Sequence, residues 1–158
     1  MENNAKMDLR NLRVDQFGYV YKDVEKQAQI MESLFNMPKF NFLPPMTGRV
    51  TYRGKDTEYT VKLGFTRYFN LQMELIQPIK GESIHKEFLD QGREGLHHVS
   101  CSVKNVESYI DYLKELGLEV VFSGLVPGRR LFAYFDTEAT LGIMLEIQGT
   151  LKRRKKQK

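Results

Sequence analysis

The clearest alternation of apolar and polar positions lies between Leu96 and Val103. Alternate residues fall into two sets, one mostly apolar and one polar: His97, Val99, Cys101 and Val103 against His98, Ser100 and Ser102. Successive side chains of a strand point to opposite faces, so this pattern predicts a β-strand. After Asn105, apolar residues recur at spacings of three and four until Gly117, which predicts a capped amphipathic helix. Three more strands are predicted in LEVVFSGL, RLFAYF and GIMLEIQ.

The first half of the chain repeats this plan at an offset of 82 residues. The clearest matches between the halves are Lys22 with Lys104, Val24 with Val106, and Glu25 with Glu107. The segment VDQFGYVY predicts the first strand, and a helix capped by Asp23 follows it. GRVTYR, YTVKLGF and NLQMELIQ predict the three remaining strands, and ESIHKEFLDQG predicts a linker helix between the halves.

Two such βαβββ units predict an α+β fold. We expect the units to pair around a pseudo-twofold axis, which makes one curved mixed sheet with helices outside and a hollow inside. The predicted organisation is an N-terminal extension (1–12), one domain (13–149) and a basic tail (150–158). Within the domain the two units cover about 13–78 and 95–149, and the linker helix covers about 82–92.

The alternation also assigns polar side chains to the face away from the helices. The first and last strands of each unit offer one each: Gln16, Glu74, His98 and Glu146. Gly18 and Ser100, two residues further on, are small and leave room beside them. An amide oxygen, an imidazole and two carboxylates suit one divalent ion such as Zn, Ni, Co, Mn or Mg, so we predict a metal site in the hollow. By the same alternation His97 points toward the helices, and His85 lies in the linker helix; both are predicted to be structural.

Charge and composition narrow the class of protein. The formal charge is +4, but the segment LKRRKKQK carries six cations, and without them the charge becomes −2. The basicity therefore belongs to a tail that we expect to be disordered and solvated, and it does not indicate a specific nucleic-acid interface. The N-terminal MENNAKMDLR lacks the apolar run of a signal peptide, and no stretch approaches the ~20 apolar residues of a membrane span. With a lone Cys101, we expect a soluble cytoplasmic protein.

The paired units resemble the vicinal oxygen chelate superfamily, which includes glyoxalase I, methylmalonyl-CoA epimerases, extradiol dioxygenases and antibiotic-resistance proteins. The resemblance covers about residues 13–149. The segment MELIQPIKGESIHKEFLDQGREGLHHVSCSVKNVE is most similar to methylmalonyl-CoA epimerases, which have a Glu or Gln ligand, a proline, a linker helix with a serine, and then Gly-Leu-His-His.

This resemblance implies metal ligands at Gln16, Glu74, His98 and Glu146, the set that the alternation also predicts. It implies an epimerase that acts on methylmalonyl-CoA or a similar acyl-CoA, by removal of an α-proton through a metal-stabilised enolate. Glu146 is the predicted general base, and Glu74 could serve the opposite face. A homodimer is also implied.

Two positions depart from the epimerase pattern. Epimerases usually carry a histidine where this chain has Gln16, and a set of Gln, Glu, His and Glu resembles some glyoxalase I enzymes. The carboxylate base that epimerases carry on a middle strand has no clear match, although Asp56 and Glu58 lie nearby in sequence. The alternatives are therefore a glyoxalase I-like isomerase of a thiol adduct, and a non-catalytic protein that sequesters a ligand. A dioxygenase is disfavoured, since its iron site uses two histidines and only His98 is predicted to face the hollow.

Overall fold

The computed structural model describes residues 8–152. The strands are β1 (Gln16–Val20), β2 (Asn41–Phe42), β3 (Met46–Tyr52), β4 (Lys55–Tyr68), β5 (Leu71–Lys80), β6 (Gly95–Ser102), β7 (Val120–Val126), β8 (Arg130–Phe135) and β9 (Met144–Thr150). The helices are α1 (Val24–Phe35), α2 (Ile84–Asp90), α3 (Val106–Glu115) and α4 (Glu138–Leu141), and a 3-10 turn spans Leu9–Asn11. Within residues 8–152, no helix has the length and apolar character needed to cross a bilayer.

All of these strands belong to one mixed sheet that closes on itself. The strand order is β2-β4-β3-β7-β8-β9-β6-β1-β5, and β5 pairs again with β4. The predicted α+β fold, with two βαβββ units around a hollow, is confirmed. The short β2 and the single-turn α4 are additions that the sequence patterns did not predict.

The two units meet along two antiparallel seams. β1 pairs with β6 on one side of the barrel, and β3 pairs with β7 on the other. Inside each unit the first strand runs parallel to the last, β1 beside β5 and β6 beside β9. This is the pseudo-twofold arrangement that the repeat predicts, and it brings the first and last strands of both units side by side.

Helices α1 and α3 cover the outside of the barrel, one on each unit. The apolar face of α1 packs on β5 through Val24, Ala28, Met31, Met73 and Leu75. The apolar face of α3 packs on β8 and β9 through Val106, Leu113, Phe135 and Ile147. The Asp23 side chain accepts a hydrogen bond from the backbone N–H of Lys26, so the predicted cap of α1 is confirmed.

The linker helix α2 packs differently, because its apolar side enters the barrel. Ile84 and Phe88 belong to the same buried cluster as Val20, Tyr59 and Ile76, which face the interior. The helix therefore closes the end of the barrel at which β1 and β5 finish. On its other side, the carboxylate of Glu87 accepts hydrogen bonds from Tyr52 and Arg53 of the first unit.

The folded body extends slightly beyond the predicted limits of 13–149. Leu9 and Leu12, from the predicted N-terminal extension, pack against the core beneath α3, and so does Leu151. Strand β9 also continues to Thr150. Of the predicted disordered tail, residues 153–158 lie outside the described part of the chain.

Candidate metal centre

The structure brings three of the four predicted ligands together inside the barrel. His98 Nε2 lies 3.6 Å from Glu74 Oε2 and 3.7 Å from Glu146 Oε2. All three side chains are buried. The strand register explains the arrangement, since Glu74 pairs with Gly18 and Glu146 with Ser100, the equivalent positions of the two units. Each unit thus places one carboxylate close to the Nε2 atom of His98.

The fourth predicted ligand, Gln16, is buried on β1 beside β6. Its Nε2 donates a hydrogen bond to Gln72 Oε1 at 2.7 Å, which fixes the direction of the amide. Buried atoms without a hydrogen-bond partner among residues 8–152 include Gln16 Oε1, His98 Nε2 and Glu146 Oε2. Buried polar atoms normally find partners. Unpartnered amide, imidazole and carboxylate atoms in one buried region therefore fit a divalent cation.

Burial sets the charge state of this cluster. It raises the pKa of Glu74 well above the ordinary 4.5, and the nearby charge of Glu146 raises it further. Burial also raises the pKa of Glu146 to about 7, against hydrogen bonds from Ser100 and Tyr134 that lower it. The pKa of His98 is lowered well below 6.5, again by burial and then by His97. His98 is thus a neutral imidazole, the form that ligates metals.

The absence of a side chain at Gly18 makes space for the His98 ring. A Cβ atom built at Gly18 would lie 1.8 Å from His98 Cε1. No real side chain tolerates that distance, so the backbone of β1 approaches the imidazole as closely as only glycine permits. The sequence-based expectation that Gly18 leaves room beside the ligands is borne out for this residue.

The surroundings of His97 differ from the prediction: its ring lies beside the linker helix α2 and Tyr134, and not against the outer helices α1 and α3. The pairing of β6 with β1 shifts register between Gly18 and Tyr19, and this irregularity interrupts the strict alternation on which the prediction relied. His97 is buried against Phe88 of α2, and its Nδ1 lies 3.3 Å from His98 Nδ1. Sequence reasoning missed this contact; the only signal was the His-His doublet itself, since a bulge has no clear sequence mark here.

His85 also lies closer to the site than a purely structural linker residue would. Its Nδ1 is 2.8 Å from the hydroxyl oxygen of Tyr59, and its Nε2 is buried without a partner among the described residues. Ligand atoms of His85, His97 and His98 lie within 4.8 Å of one another, so these imidazoles form a second group that could hold a metal ion. His98 belongs to both groups.

The two carboxylates considered as replacements for the missing epimerase base do not reach the barrel interior. Asp56 and Glu58 are exposed on β4, and Asp56 accepts a hydrogen bond from the Thr51 hydroxyl. Glu58 precedes Tyr59, whose ring is buried inside, so the alternation of β4 directs Glu58 outward. The interior carboxylates with raised pKa values are therefore Glu74 and Glu146.

Comparison with solved structures agrees with this architecture. A hypothetical protein from Bacillus halodurans superimposes with a TM-score of 0.64 at 18% identity, over 92% of this chain and 99% of that one. Streptomyces coelicolor methylmalonyl-CoA epimerase, in complex with 2-nitronate-propionyl-CoA, gives 0.63 at 13% identity over 89% and 99%. The Mycobacterium tuberculosis methylmalonyl-CoA epimerase gives 0.62 at 14% identity over 88% of both chains. At identities this low, the structural similarity establishes a shared fold alone.

A comparison with curated proteins gives no match. The family model described as Glyoxalase/Bleomycin resistance protein/Dioxygenase superfamily matches residues 15–135, which include both units as far as β8. That range covers most of the chain and agrees with the closed βαβββ pair in the structure. The chain belongs to the glyoxalase/bleomycin resistance protein/dioxygenase superfamily.

Proposed function

We propose that the protein is a metal-dependent epimerase that acts on methylmalonyl-CoA or a similar acyl-CoA by moving the α-proton. The observation that carries the proposal is the pair of buried carboxylates, Glu74 and Glu146, within 3.7 Å of His98 Nε2. A binding protein has no need for two desolvated carboxyl groups, because their burial is costly. Solved structures of the same fold include methylmalonyl-CoA epimerases, which makes this substrate the first to test.

Gln16, Glu74, His98 and Glu146 are the residues that would hold the ion. A divalent ion bound there would supply Lewis-acid stabilisation of the negative charge that develops on a substrate carbonyl oxygen. The chain itself prepares His98 for this role. If His98 carries its proton on Nδ1 and donates it to His97 Nδ1, the lone pair of Nε2 points toward the two carboxylates.

The two carboxyl groups have the properties that proton transfer at neutral pH requires. Without a bound ion, burial raises the pKa of Glu146 to about 7, and we assign this carboxylate as the general base. Glu74 belongs to the other unit and also lies close to His98 Nε2, at 3.6 Å, so we assign it to the opposite face of the substrate. Epimerisation needs removal of the α-proton by one group and return of a proton to the other face, and the two units supply one group each.

A glyoxalase I-like isomerase is the second candidate, and Gln16 is the observation that favours it. The buried amide oxygen occupies the position at which epimerases usually carry a histidine. The proton chemistry would be the same, except that the proton returns to a neighbouring carbon of a thiol adduct. The substrate therefore distinguishes the candidates, while the roles of Glu74 and Glu146 do not.

The proposal is tested by α-proton exchange in deuterated water. Each epimer of methylmalonyl-CoA and a glutathione adduct of a 2-oxoaldehyde are incubated with protein and cobalt(II), and exchange is followed by NMR. We expect exchange of methylmalonyl-CoA, with a loss on the order of 10²-fold in Glu146→Gln. Glu74→Gln should impair the opposite epimer more strongly. Exposed Glu107, in the first turn of α3, provides the matched control Glu107→Gln, which should exchange normally.

Three results would overturn parts of this assignment. Exchange of only the thiol adduct would replace the epimerase by the isomerase. Full exchange in Glu146→Gln would remove Glu146 as the base. Absence of exchange with both substrates, in folded wild-type protein that binds cobalt(II), would contradict the proposed chemistry itself.

A further inference from the structure

Glu146 is flanked in the sheet by two residues that carry hydroxyl groups. It pairs with Ser100 of β6 on one side and with Tyr134 of β8 on the other. Side chains of directly paired residues lie on the same face of a sheet, so both hydroxyl groups point into the barrel beside the carboxylate. Ser100 and Tyr134 are buried there and donate hydrogen bonds to Glu146. The base proposed above is thus held by two donors.

Glu74, the equivalent carboxylate of the first unit, has different neighbours. It pairs with Gly18 of β1 and with Phe65 of β4, which stand at the positions equivalent to Ser100 and Tyr134. Neither glycine nor phenylalanine has a hydrogen-bond donor in its side chain. The repeat therefore gives each unit one buried carboxylate, but only the second unit places two hydroxyl groups beside it.

The His98 ring prevents the first unit from carrying a hydroxyl group at the position of Gly18. A Cβ atom there would lie 1.8 Å from His98 Cε1, so the imidazole occupies the space that a serine side chain would need. At the equivalent position of the second unit, Ser100 fits and is fully buried. Because one histidine lies beside both carboxylates, the two halves of the site cannot be identical.

Core packing fixes the direction of the Tyr134 hydroxyl group. The Tyr134 ring stands nearly perpendicular to the His98 ring, with centroids 4.9 Å apart, and nearly perpendicular to the His85 ring at 5.5 Å. The Phe122 ring packs on it at 5.9 Å. A buried ring confined by aromatic neighbours has little freedom to change rotamer. The Tyr134 hydroxyl group is therefore held beside Glu146.

A further hydrogen bond fixes the direction of the Ser100 hydroxyl group. Its Oγ accepts a hydrogen bond from Gln148 Nε2 at 2.8 Å. A hydroxyl group carries a single proton, and since Gln148 supplies the proton of that bond, the proton of Ser100 can be donated to Glu146. Gln148 is itself held by Arg130, whose Nε donates to Gln148 Oε1 at 2.8 Å. Both donors beside Glu146 are thus oriented by groups other than Glu146.

The two oxygen atoms of Glu146 differ in their surroundings. Oε2 lies 3.7 Å from His98 Nε2 and has no hydrogen-bond partner among residues 8–152. The other oxygen, Oε1, is therefore the one that the hydroxyl groups hold. A carboxylate held through one oxygen presents the second in a fixed direction, which a base needs in order to reach a substrate proton.

We propose that Tyr134 is a positioning residue for the proposed base, and that its hydroxyl group, with that of Ser100, fixes the direction of the Glu146 carboxylate. Glu74 has no such support, so proton removal is faster at the substrate face that Glu146 serves. This inference rests on the proposed function for the role of Glu146 as the base. The contact between the hydroxyl groups and the carboxylate can be measured without turnover.

The first arm of the test detects this contact in the metal-free protein by NMR. Glutamate labelled with carbon-13 in its side-chain carboxyl group is incorporated, and the two signals are assigned by their loss in Glu146→Gln and Glu74→Gln. We expect Tyr134→Phe to shift the Glu146 signal more than the Glu74 signal, because only Glu146 loses a donor. Phe65→Tyr should do the reverse. Tyr112→Phe, on α3 outside the barrel, is the matched control and should shift neither signal.

The second arm measures α-proton exchange of each methylmalonyl-CoA epimer with cobalt(II) bound. Tyr134→Phe should lower kcat about 10-fold for the epimer that Glu146→Gln impairs most, because a hydrogen bond to a charged group is lost. KM, cobalt(II) affinity and exchange of the opposite epimer should change little. The double variant Tyr134→Phe with Phe65→Tyr moves the donor to Glu74 and should shift the preference toward the opposite epimer.

Two results would overturn the inference. An unchanged Glu146 signal in a folded Tyr134→Phe protein would show that the hydroxyl group does not contact the carboxylate. Equal losses of kcat for both epimers would contradict it as well, since a residue that only stabilises the fold affects both faces alike. If the Glu146 signal shifts as expected but wild type with bound cobalt(II) exchanges neither epimer, the proposed function fails and the hydroxyl support of Glu146 stands.

Discussion

The two ends of the barrel are built from equivalent strand positions but carry opposite chemistry. At one end Val20, Val61 and Ile76 are buried beneath α2. At the other end Arg130 donates hydrogen bonds to Gln148 and Ser102, which occupy the positions corresponding to Ile76 and Val20, and Arg130 and Ser102 line a cleft. Because the backbone is the same, the difference comes from the side chains and from the linker helix, which covers one end alone. One end is apolar and covered by α2, and the other is polar and borders a cleft.

The four predicted metal ligands at the centre of the barrel obey the pseudo-twofold symmetry, which the two barrel ends do not. Glu74 and Glu146 occupy equivalent positions, and so do Gln16 and His98. Their strands run side by side along the β1–β6 seam, so duplication of one unit brings two carboxylates to one place. The proposed metal site therefore follows from the repeat, whereas the two barrel ends differ because the side chains of the two units have diverged.

The largest effect on stability should come from exchanging an apolar and a polar residue between the two barrel ends. Ile76→Gln places an amide in the buried cluster under α2, and we expect it to lower the free energy of unfolding by about 4 kcal/mol. The matched change Gln148→Ile removes hydrogen bonds at a partly exposed position and should cost only about 1 kcal/mol. Urea unfolding of both metal-free variants measures the difference. Equal losses would contradict the contrast between a buried and an open end.

Alanine substitutions of Gly18 and of its equivalent, Ser100, should lower the stability by smaller amounts. Gly18→Ala forces a methyl group into the His98 ring and should cost about 2 kcal/mol, with weakened metal binding. Ser100→Ala removes the acceptor of the Gln148 hydrogen bond and should cost about 1 kcal/mol. Thermal unfolding with and without cobalt(II) checks both. Normal stability and metal affinity in Gly18→Ala would show that β1 does not approach His98 this closely.

The smallest effect concerns the attachment of α2 at the covered end. Hydrogen bonds from Arg53, and also from Tyr52, lower the pKa of Glu87 below the ordinary 4.5. A carboxylate with a lowered pKa in the folded state stabilises the fold above pH 4.5, and this contribution is lost as the pH falls below that value. Since Arg53 is partly exposed, we expect about 1 kcal/mol.

Unfolding curves between pH 3 and 7 test this attachment. Glu87→Gln should be less stable than wild type above pH 4.5 and should lose less stability on acidification. The matched control is Glu82→Gln on the same segment, whose exposed side chain lies 3.7 Å from Lys86, and it should follow wild type. Identical pH profiles for wild type and Glu87→Gln would show that the ion pair does not contribute.

Much of the barrel could be predicted from the sequence because its determinants are local. Alternation identified the strands and the inward side chains, and the repeat indicated how two units pair. The role of α2 could not be predicted, because ESIHKEFLDQG shows that a helix forms but not that Ile84 and Phe88 enter the barrel. Closure of the sheet through the β3–β7 seam depends on contacts between distant segments, which no local pattern records.

The candidate site shows the same limit. Gln16, Glu74, His98 and Glu146 follow from strict alternation, and the structure buries all four. His97 was assigned to the wrong surroundings because one irregularity in β6 overrides that alternation. No local sequence pattern predicts the contact of Arg130. Alternation places Gln148 on the same face as Glu146, but only the pairing of β8 with β9 shows that the side chains of Gln148 and Arg130 meet.

The most direct measurement is the stoichiometry of cobalt(II) binding by calorimetry, because His98 is shared by two possible ligand groups. With the ion between Gln16, Glu74, His98 and Glu146, wild type binds about one ion per chain and His98→Ala binds none. His85→Phe, which removes an imidazole of the three-histidine group, should still bind one, and Glu146→Ala should bind far more weakly. If His85→Phe abolishes binding while Glu146→Ala leaves it unchanged, the ion belongs to the histidine group, and the carboxylate site proposed here is wrong.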